Sequence, residues 1–288
     1  MKNTKDLLDI LILEDTGSNN FLGKSNDIGS PNVFGGQVLA QSLNAAYRTV
    51  AKERVLHSLH SYFLEAGNLD IPITYNVQII RDGGSFSTRR VTAYQNEKTI
   101  FILACSFHKI EKGHEHQIPI KKDIKQPEEL LSWTDMLTQF GEFIPKKLKA
   151  FLSIDRPIAF KPVQAVNPFE NKDLPPIIDV WFKLKGNGEN LSLAIKQQIL
   201  TYISDYNILT ACLHPNASKA NFSNTQMASL DHSMWFYRDF DFTDWMLFSI
   251  ESPNSFGARG FSRGNIFTRD GKLIASVAQE GLLRPLQK

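Results

Sequence analysis

Short sequence patterns recur in the same order in two distant parts of this 288-residue chain. The paired segments are His60-Ser61 with His232-Ser233, residues 85–89 with 255–259, and residues 96–98 with 270–272. Because order and spacing are both kept, the pattern predicts a duplicated structural unit, and a chain of this length can form two domains with a core each. Chance similarity between two strand-rich halves is the alternative.

Each half has one segment with the period of a helix and several with the period of a strand. Apolar residues recur at three- and four-residue steps from Leu39 to Val50, and again from Leu191 to Ile203. Between these segments, Ile73, Tyr75, Val77 and Ile79 alternate with polar neighbours, as in a half-buried strand. The pattern predicts strand, strand, helix and then four strands in each half.

A long helix followed by strands that can pair as antiparallel neighbours predicts a curved sheet wrapped around that helix. This arrangement is the hotdog fold, so the expected class is α+β with two tandem hotdog domains. We predict an N-terminal domain over residues 1–111 and a C-terminal domain over 156–288. Residues 112–155, which are polar and rich in lysine, are predicted to form a linker.

The balance of charge argues against some classes of protein. Lys and Arg total 32 against 30 Asp and Glu, and a net charge of +2 gives no large field to attract nucleic acid.

No apolar run approaches the roughly 18 residues of a membrane-spanning helix, so no membrane insertion is expected. Cys105 and Cys212 match neither a disulfide nor a metal framework. A cytoplasmic location is therefore predicted.

Six motifs carry a resemblance to a known family. They are residues 33–38, 57–64 and 81–91 in the first half, and residues 204–207, 230–236 and 278–281 in the second. On these motifs, and over nearly its whole length, the chain resembles the type II acyl-CoA thioesterases, which are double-hotdog enzymes.

The resemblance implies a hydrolase for fatty acyl-CoA in which Asp, Thr or Ser, and Gln hold the attacking water. Matched one by one, these fall on Asp205, Ser229 and Gln279 in the C-terminal domain. Ser229 stands where many members have Thr; it keeps the hydroxyl but lacks the methyl group that restricts the rotamer. The resemblance also implies self-association to a dimer or tetramer, and neither a cofactor nor a metal is expected.

These residue types suit hydrolysis of a thioester. Asp205 follows an apolar helical stripe, where desolvation would raise its pKa and favour general-base catalysis. Ser229 and Gln279 each both donate and accept, so they can orient a water molecule. Gly35 and Gly36 precede the first helix and are candidates for substrate binding through backbone N–H groups at the developing oxyanion. A tight turn before the helix is the other interpretation of this glycine pair.

Two alternative functions keep the same fold. Hotdog enoyl-CoA hydratases use an Asp and a His about five residues apart, but this chain has Thr210 where that histidine would stand. An acyl-CoA binding module without catalytic activity is the second alternative, and intact Asp205, Ser229 and Gln279 argue against it.

Other motifs in the sequence point to different chemistry. Residues 260–264 match the Gly-x-Ser-x-Gly nucleophile elbow, but strands are predicted on both sides and no histidine follows His232. His57, His60 and His232 lie in strand-like segments and are interpreted as core or interface residues. The His114-Glu115-His116 segment lacks further metal ligands at suitable spacing, so no metal site is predicted.

Overall fold

The computed structural model describes residues 1–144, 146–164 and 172–286. The helices are α1 (Thr4–Leu11), α2 (Gly35–Tyr47), α3 (Trp133–Phe140), α4 (Lys146–Leu152), α5 (Leu193–Ser204) and α6 (Thr210–Leu213), with 3-10 turns at Pro127–Glu129 and His214–Asn216. The strands of the first half are β1 (Glu14–Gly17), β2 (Asn20–Gly23), β3 (Arg54–Phe63), β4 (Ile73–Asp82), β5 (Phe86–Gln95) and β6 (Lys98–Lys109). Those of the second half are β7 (Ile158–Pro162), β8 (Ile177–Leu184), β9 (Thr225–Ser229), β10 (Asp231–Phe236), β11 (Met246–Phe256), β12 (Arg259–Thr268) and β13 (Leu273–Pro285).

Within the described residues the strands form one 13-stranded sheet in which every neighbouring pair is antiparallel. The first half contributes the order β1-β2-β4-β5-β6-β3, and the second half continues it with β10-β13-β12-β11-β8-β7. Strands β3 and β10 pair where the halves meet, with His60 opposite Ser233. The two halves of the sheet therefore have matching strand order and are joined by main-chain hydrogen bonds between β3 and β10.

The predicted α+β class with two tandem hotdog domains is confirmed. The first half follows the predicted order of strand, strand, helix and four strands, after an additional helix, α1. The second half repeats the order but inserts α6, a 3-10 turn and β9 between the long helix α5 and the last four strands. Strand β9 pairs with β13 beside the main path of the sheet.

Helices α2 and α5 pack against each other inside the sheet. Almost all of α2 is buried, including polar Gln41, because neighbours surround the helix. The Gln41 amide is satisfied on both sides: it donates to Ile10 O at 2.7 Å and accepts from the Tyr75 hydroxyl at 2.6 Å. Between the helices, Asn44 Nδ2 donates to Gln198 Oε1 at 2.9 Å. Paired polar groups thus allow two helices to share one core.

Two details of the predicted duplication are wrong. His60 faces solvent, whereas His232 is fully buried, and since successive strand residues face opposite sides the two His-Ser pairs are not equivalent positions. Arg89 is likewise buried in β5, whereas Arg259 is exposed at the start of β12. The echo of residues 96–98 in 270–272 does hold, because both segments turn between the last two strands of their half.

The helical stripes were predicted slightly too long. Helix α2 ends at Tyr47, so Val50 lies beyond it. Helix α5 begins after Ser192, whose hydroxyl accepts from Ile195 N at 3.4 Å and caps the helix, which leaves Leu191 outside.

The segment between the halves contains short helices rather than continuous strands. It runs from the end of β6 at Lys109 to the start of β7 at Ile158 and includes α3 and α4. Within the described residues, none of the helices combines the length and apolar character needed to cross a membrane. The domain limits 1–111, 112–155 and 156–288 stay predictions.

Candidate active site

Asp205, Ser229 and Gln279 come from three elements of the second half and lie in one hydrogen-bonded group. Asp205 is the C-cap residue of α5, Ser229 ends β9, and Gln279 lies within β13. The Ser229 hydroxyl donates to Asp205 Oδ1 over 3.4 Å, and Gln279 Nε2 donates to Ser229 Oγ at 2.8 Å. Pairing of β9 with β13 brings the last two together, since Ser229 lies opposite Gly281.

The inward direction of Gln279 follows from strand alternation. Ala275 and Val277 precede it at two-residue steps and are buried in the main core, whereas Leu273, beyond a shift in strand register, packs in a separate cluster with Trp181 and Phe267. Gln279 itself is 1% exposed, so its amide needs partners inside the protein. Gln279 therefore shares the inner face of Ala275 and Val277.

The glycine pair of the first half completes the surroundings of Asp205. Gly36 N donates to Asp205 Oδ2 at 2.9 Å across the boundary between the halves. A Cβ atom on Gly35 would lie 2.7 Å from the same oxygen, and one on Gly36 would lie 2.4 Å from Tyr202 O. Only glycine permits this approach. The N–H of Gly36 is thus engaged by the carboxylate, and the site is not confined to the second half.

The environment of Asp205 favours its protonated form. Burial raises the pKa of Asp205 above that of an ordinary aspartate. The charge of His232, when its ring is protonated, and hydrogen bonds from Gln279, Gly36 and Ser229 partly offset this by lowering the pKa. A carboxylate whose proton affinity is increased in this way is better suited to accept a proton from water.

His232 is a member of this group that sequence analysis interpreted as a core or interface residue and did not assign to the site. Its Nδ1 lies 2.5 Å from Gln279 Oε1, and its Nε2 lies 3.0 Å from Ser204 Oγ. Burial lowers the pKa of His232 and so favours the neutral ring. The interpretation as a core histidine agrees with its burial. Alternation with buried Met234 and Phe236 is the signal that places it on the inner face.

Aromatic side chains form one wall beside Asp205. The ring of Phe34 lies 5.1 Å from that of Tyr202 and 4.5 Å from that of Tyr206, measured between centroids. Tyr206 in turn lies 5.2 Å from Phe160 of β7. Such a wall excludes water from one side of the carboxylate.

A cleft of about 550 Å³ opens at the other end of β9. The strand has Ser229 at one end and Thr225, which lines the cleft, at the other. The walls include Lys219, Arg259 and Leu283, so both cationic and apolar groups are available there.

The candidates for other chemistry lie in unsuitable surroundings. Ser262 is fully buried within β12, with its Oγ 3.0 Å from Cys212 Sγ, so residues 260–264 form part of a strand rather than an elbow. Thr210 begins α6. Ser262 is therefore not an exposed nucleophile, and Thr210 does not supply the histidine that a hydratase needs.

The other histidines considered in the sequence analysis have partners outside the Asp205 group or lie at the surface. His57 Nε2 contacts Ser106 Oγ at 2.8 Å, and His60 Nδ1 contacts Ser233 Oγ at 3.1 Å. His114 and His116 are exposed in a loop. In the part of the chain that the structure describes, no three His, Cys, Asp or Glu side chains are grouped so as to hold a metal.

Comparison with known proteins identifies the family. The family model described as acyl-CoA thioesterase matches residues 148–282, and the model of the acyl-CoA thioesterase N-terminal domain matches residues 23–108. Acyl-CoA thioesterase 2 of Haemophilus influenzae is 40% identical over 280 residues, which cover 97% of either chain. This chain belongs to the acyl-CoA thioesterase family. The predicted resemblance and the predicted class of enzyme are thereby confirmed.

Other relatives support the same assignment. Human acyl-coenzyme A thioesterase 8 is 34% identical over 286 residues, covering 96% of this chain and 88% of its own. Among solved structures, the acyl-CoA thioesterase II TesB2 from Mycobacterium marinum matches with a TM-score of 0.77 and 31% identity over 97% of each chain. A tesB protein of Mycobacterium avium subs paratuberculosis matches with a TM-score of 0.79 and 26% identity, covering 98% and 99% of the two chains.

Proposed function

We propose that the chain hydrolyses fatty acyl-CoA to a free fatty acid and CoA, using a water molecule held by Asp205, Ser229 and Gln279. The observation that carries this proposal is the hydrogen-bonded series from Gln279 Nε2 through Ser229 Oγ to Asp205. A general base with a raised pKa, flanked by a hydroxyl and an amide of fixed direction, can both orient and deprotonate water.

The reaction then proceeds in two steps. Asp205 takes a proton from the water while the water oxygen attacks the thioester carbonyl carbon, giving a tetrahedral oxyanion. The C–S bond then breaks, the carbonyl re-forms as the carboxylic acid, and the CoA sulfur leaves with the proton that Asp205 had accepted. No bond between substrate and protein is formed.

A backbone N–H at the start of α2 is suited to stabilise the oxyanion, because the Gln279 amide already donates to Ser229 and to Asp205. The N–H of Gly35 belongs to the first turn of α2, where backbone N–H groups have no partner within the helix. Because Gly36 N–H is engaged by Asp205, we assign the backbone contribution to Gly35.

The surroundings suit a substrate with a long apolar part and a charged end. The aromatic wall of Phe34, Tyr202 and Tyr206 gives apolar contact beside the carboxylate. The cleft beyond β9 adds room and contains Lys219 and Arg259, whose charges complement phosphate groups. The printed names of the relatives, acyl-CoA thioesterases, support the same class of substrate.

The two alternatives within this fold lack support from specific contacts. A hydratase would need a histidine at position 210, which is Thr. A silent binding module has no need of a desolvated carboxylate, which costs stability. Self-association to a dimer or tetramer and a cytoplasmic location stay predictions. Cys105 and Cys212 are both buried, and neither forms a disulfide.

Release of free thiol from acyl-CoA esters of several chain lengths tests the proposal. We expect hydrolysis by the wild type and a fall in kcat of about 10²- to 10⁴-fold in Asp205→Asn, the usual contribution of a general base. Asp231→Asn is the matched control, because Asp231 is also a half-buried carboxylate that accepts a backbone N–H, from Glu280 at 2.8 Å. An Asp205→Asn variant as active as wild type would eliminate the mechanism, and a wild type inactive on every chain length would favour the binding module.

A further inference from the structure

Strand β9 has one edge without a strand partner. It pairs with β13 and lies beside the main path of the sheet. Strand β3, which pairs with the following strand β10, ends at Phe63, whose N–H donates to Leu230 O at 2.9 Å. The chain then turns toward β6, since Leu64 N donates to Ile100 O at 2.9 Å. The side of β9 that faces away from β13 is therefore left open, and we call it the open edge of β9.

Alternation along the β9–β13 pair decides which backbone groups face the open edge. Just after β9, Leu230 N donates to Glu280 O at 2.9 Å, and just before it, Asn224 O accepts from Leu286 N at 2.8 Å. In an antiparallel pair only alternate residues bond to the neighbouring strand, and the register of this pair runs without a bulge. Met227 lies three residues from each of these positions, so its N–H and C=O point to the open edge.

The main chain of the open edge is accessible to a ligand. In the part of the chain that the structure describes, neither the N–H nor the C=O of Met227 has a protein partner. Ser229 has the same direction two residues on, and both residues are only partly buried. At the other end of the strand, Thr225 N donates to Asn221 O at 3.1 Å. The open edge thus runs from Ser229, beside Asp205, to the cleft at Thr225.

The distance from the site to the cleft fits the pantetheine arm of CoA. From Ser229 to Thr225 the five-residue strand spans about 13 Å. An extended pantetheine arm measures about 16 Å from its sulfur to the first phosphate, and its two amides lie about 5 Å apart. Amides can pair with an open strand edge as an added strand does. The phosphate would then lie at the cleft, whose walls include Lys219.

We propose that the open edge of β9 binds the amides of the pantetheine arm through the main chain of Met227 and Ser229. The choice of ligand rests on the proposed function. Since every acyl-CoA carries this arm, the edge recognises the substrate whatever its acyl chain. A strand of a second copy of the chain is the other occupant that such an edge accepts. The short edge, which leads from the site to a cationic cleft, favours CoA.

The Met227 amide can be observed directly by NMR. The chain has five methionines, so protein labelled with ¹⁵N at methionine gives few backbone signals, and the one that disappears in Met227→Leu assigns the residue. We expect saturation with CoA alone to move this signal to lower field and to slow its hydrogen exchange, because the N–H gains an acceptor.

Three results of this titration would overturn the proposal. They are binding of CoA, shown by calorimetry, without a change at Met227; no binding of CoA to the wild type; and protection of the Met227 amide that is present without CoA and lost on dilution. The third would assign the open edge to a second copy of the chain.

Removal of the N–H tests its contribution to substrate choice. Proline lacks this donor and is tolerated at an edge where the N–H does not bond to the neighbouring strand. We compare kcat/KM for acyl-CoA with kcat/KM for the mercaptoethanol thioester of the same acid, which has no amide. Met227→Pro should lower the ratio of the two about 5-fold, the usual contribution of one hydrogen bond, whereas general damage to the fold would lower both values together.

Gln226→Pro is the matched control. By the same alternation the N–H of Gln226 faces β13, so this variant should lower the melting temperature and keep the wild-type ratio. An unchanged ratio in Met227→Pro, or an equal fall in Gln226→Pro, would overturn the proposal. If the proline variants do not fold, the CoA titration of the wild type decides it.

Failure of this inference is distinguishable from failure of the proposed function. Binding of CoA at Met227 by a protein that hydrolyses no acyl-CoA would eliminate the proposed chemistry alone. Hydrolysis of acyl-CoA with an unchanged Met227 signal would eliminate only the role of the open edge.

Discussion

The C-termini of the two central helices carry opposite charges. Beyond α2, Thr49 O accepts from Arg89 Nη2 at 2.8 Å, and Thr49 Oγ1 accepts from Arg89 Nε at 2.9 Å. Arg89 is 1% exposed and also pairs with Asp82 at 2.8 Å. The corresponding end of α5 holds Asp205 instead. A cation stabilises the negative end of a helix dipole, whereas a carboxylate there is unfavourable.

The N-termini of the two helices also differ, because only that of α2 contacts a residue of the proposed site. Helix α2 begins with Gly35 and Gly36, which approach Asp205 of the other half. Helix α5 begins at Ser192, whose own hydroxyl caps it. A duplicated fold therefore has two central helices with comparable C-termini. The C-terminus of α2 is stabilised by Arg89, whereas that of α5 retains Asp205, an unfavourable charge that the proposed chemistry uses.

The largest effect on stability is expected at the C-terminus of α2, where Arg89 binds. We expect Arg89→Met to lower the free energy of unfolding by about 3 kcal/mol, because it removes the donor to the Thr49 and Arg81 carbonyl oxygens. The kcat of the folded enzyme should change less than about 3-fold, since Arg89 lies outside the Asp205 group. Urea denaturation and thiol release measure the two quantities. Arg90→Met is the control, because Arg90 is the exposed neighbour on the same strand; a loss of kcat equal to that of Asp205→Asn would break the comparison.

Substitution at the start of α2 should affect both stability and activity. A Cβ atom at position 36 would lie 2.5 Å from the Phe34 ring as well as 2.4 Å from Tyr202 O. We expect Gly36→Ala to cost about 2 kcal/mol by overpacking and to lower kcat by displacing Asp205. Gly84→Ala is the control, since nothing lies within 4 Å of its added Cβ. Equal melting temperatures for the two variants would contradict the tight approach.

The raised pKa of Asp205 should appear in the pH dependence of catalysis. The base works only when ionised, so kcat/KM should fall as pH decreases through a pKa higher than that of an ordinary aspartate. The same shift means that protonation of Asp205 favours the folded state, a contribution that is lost as pH rises through the folded pKa. A pH profile of kcat/KM from acid to neutral pH measures this. An acid limb at or below the ordinary range would show that burial does not control this carboxylate.

The smallest effect is expected at Ser229. Ser229→Thr restores the methyl group that restricts the rotamer, and we expect kcat to rise by no more than about 3-fold. Ser229→Ala, which removes the hydroxyl between Asp205 and Gln279, should instead lower kcat about 10-fold. Equal activity of the Ala and Thr variants would show that the hydroxyl has no part in the reaction.

Local periodicity was sufficient to predict much of the fold. The apolar stripe of α5 predicted Asp205 near the end of a helix, and the alternation of Ile73, Tyr75 and Val77 predicted the half-buried strand β4. These features depend on neighbours in sequence, whose directions are set by strand and helix geometry. The resemblance added Ser229, for which no local pattern existed.

Contacts between distant residues were not predictable in this way. Gly36 and Asp205 are 169 positions apart, and only the packing of α2 against α5 brings them together. Strand β9, an addition to the repeated order, had no counterpart in the first half to reveal it. The opposite faces of His60 and His232 were also missed, because matching letters do not fix strand register.

The most direct test of the mechanism is a double-mutant cycle on kcat for acyl-CoA with Asp205→Asn, Gln279→Met and the combined variant. If both side chains act on one water molecule, the combined variant should be no more than about 3-fold slower than Asp205→Asn alone, because residues that act as a unit are not additive. A combined loss equal to the product of the two single losses would mean that they act independently and would contradict the shared water.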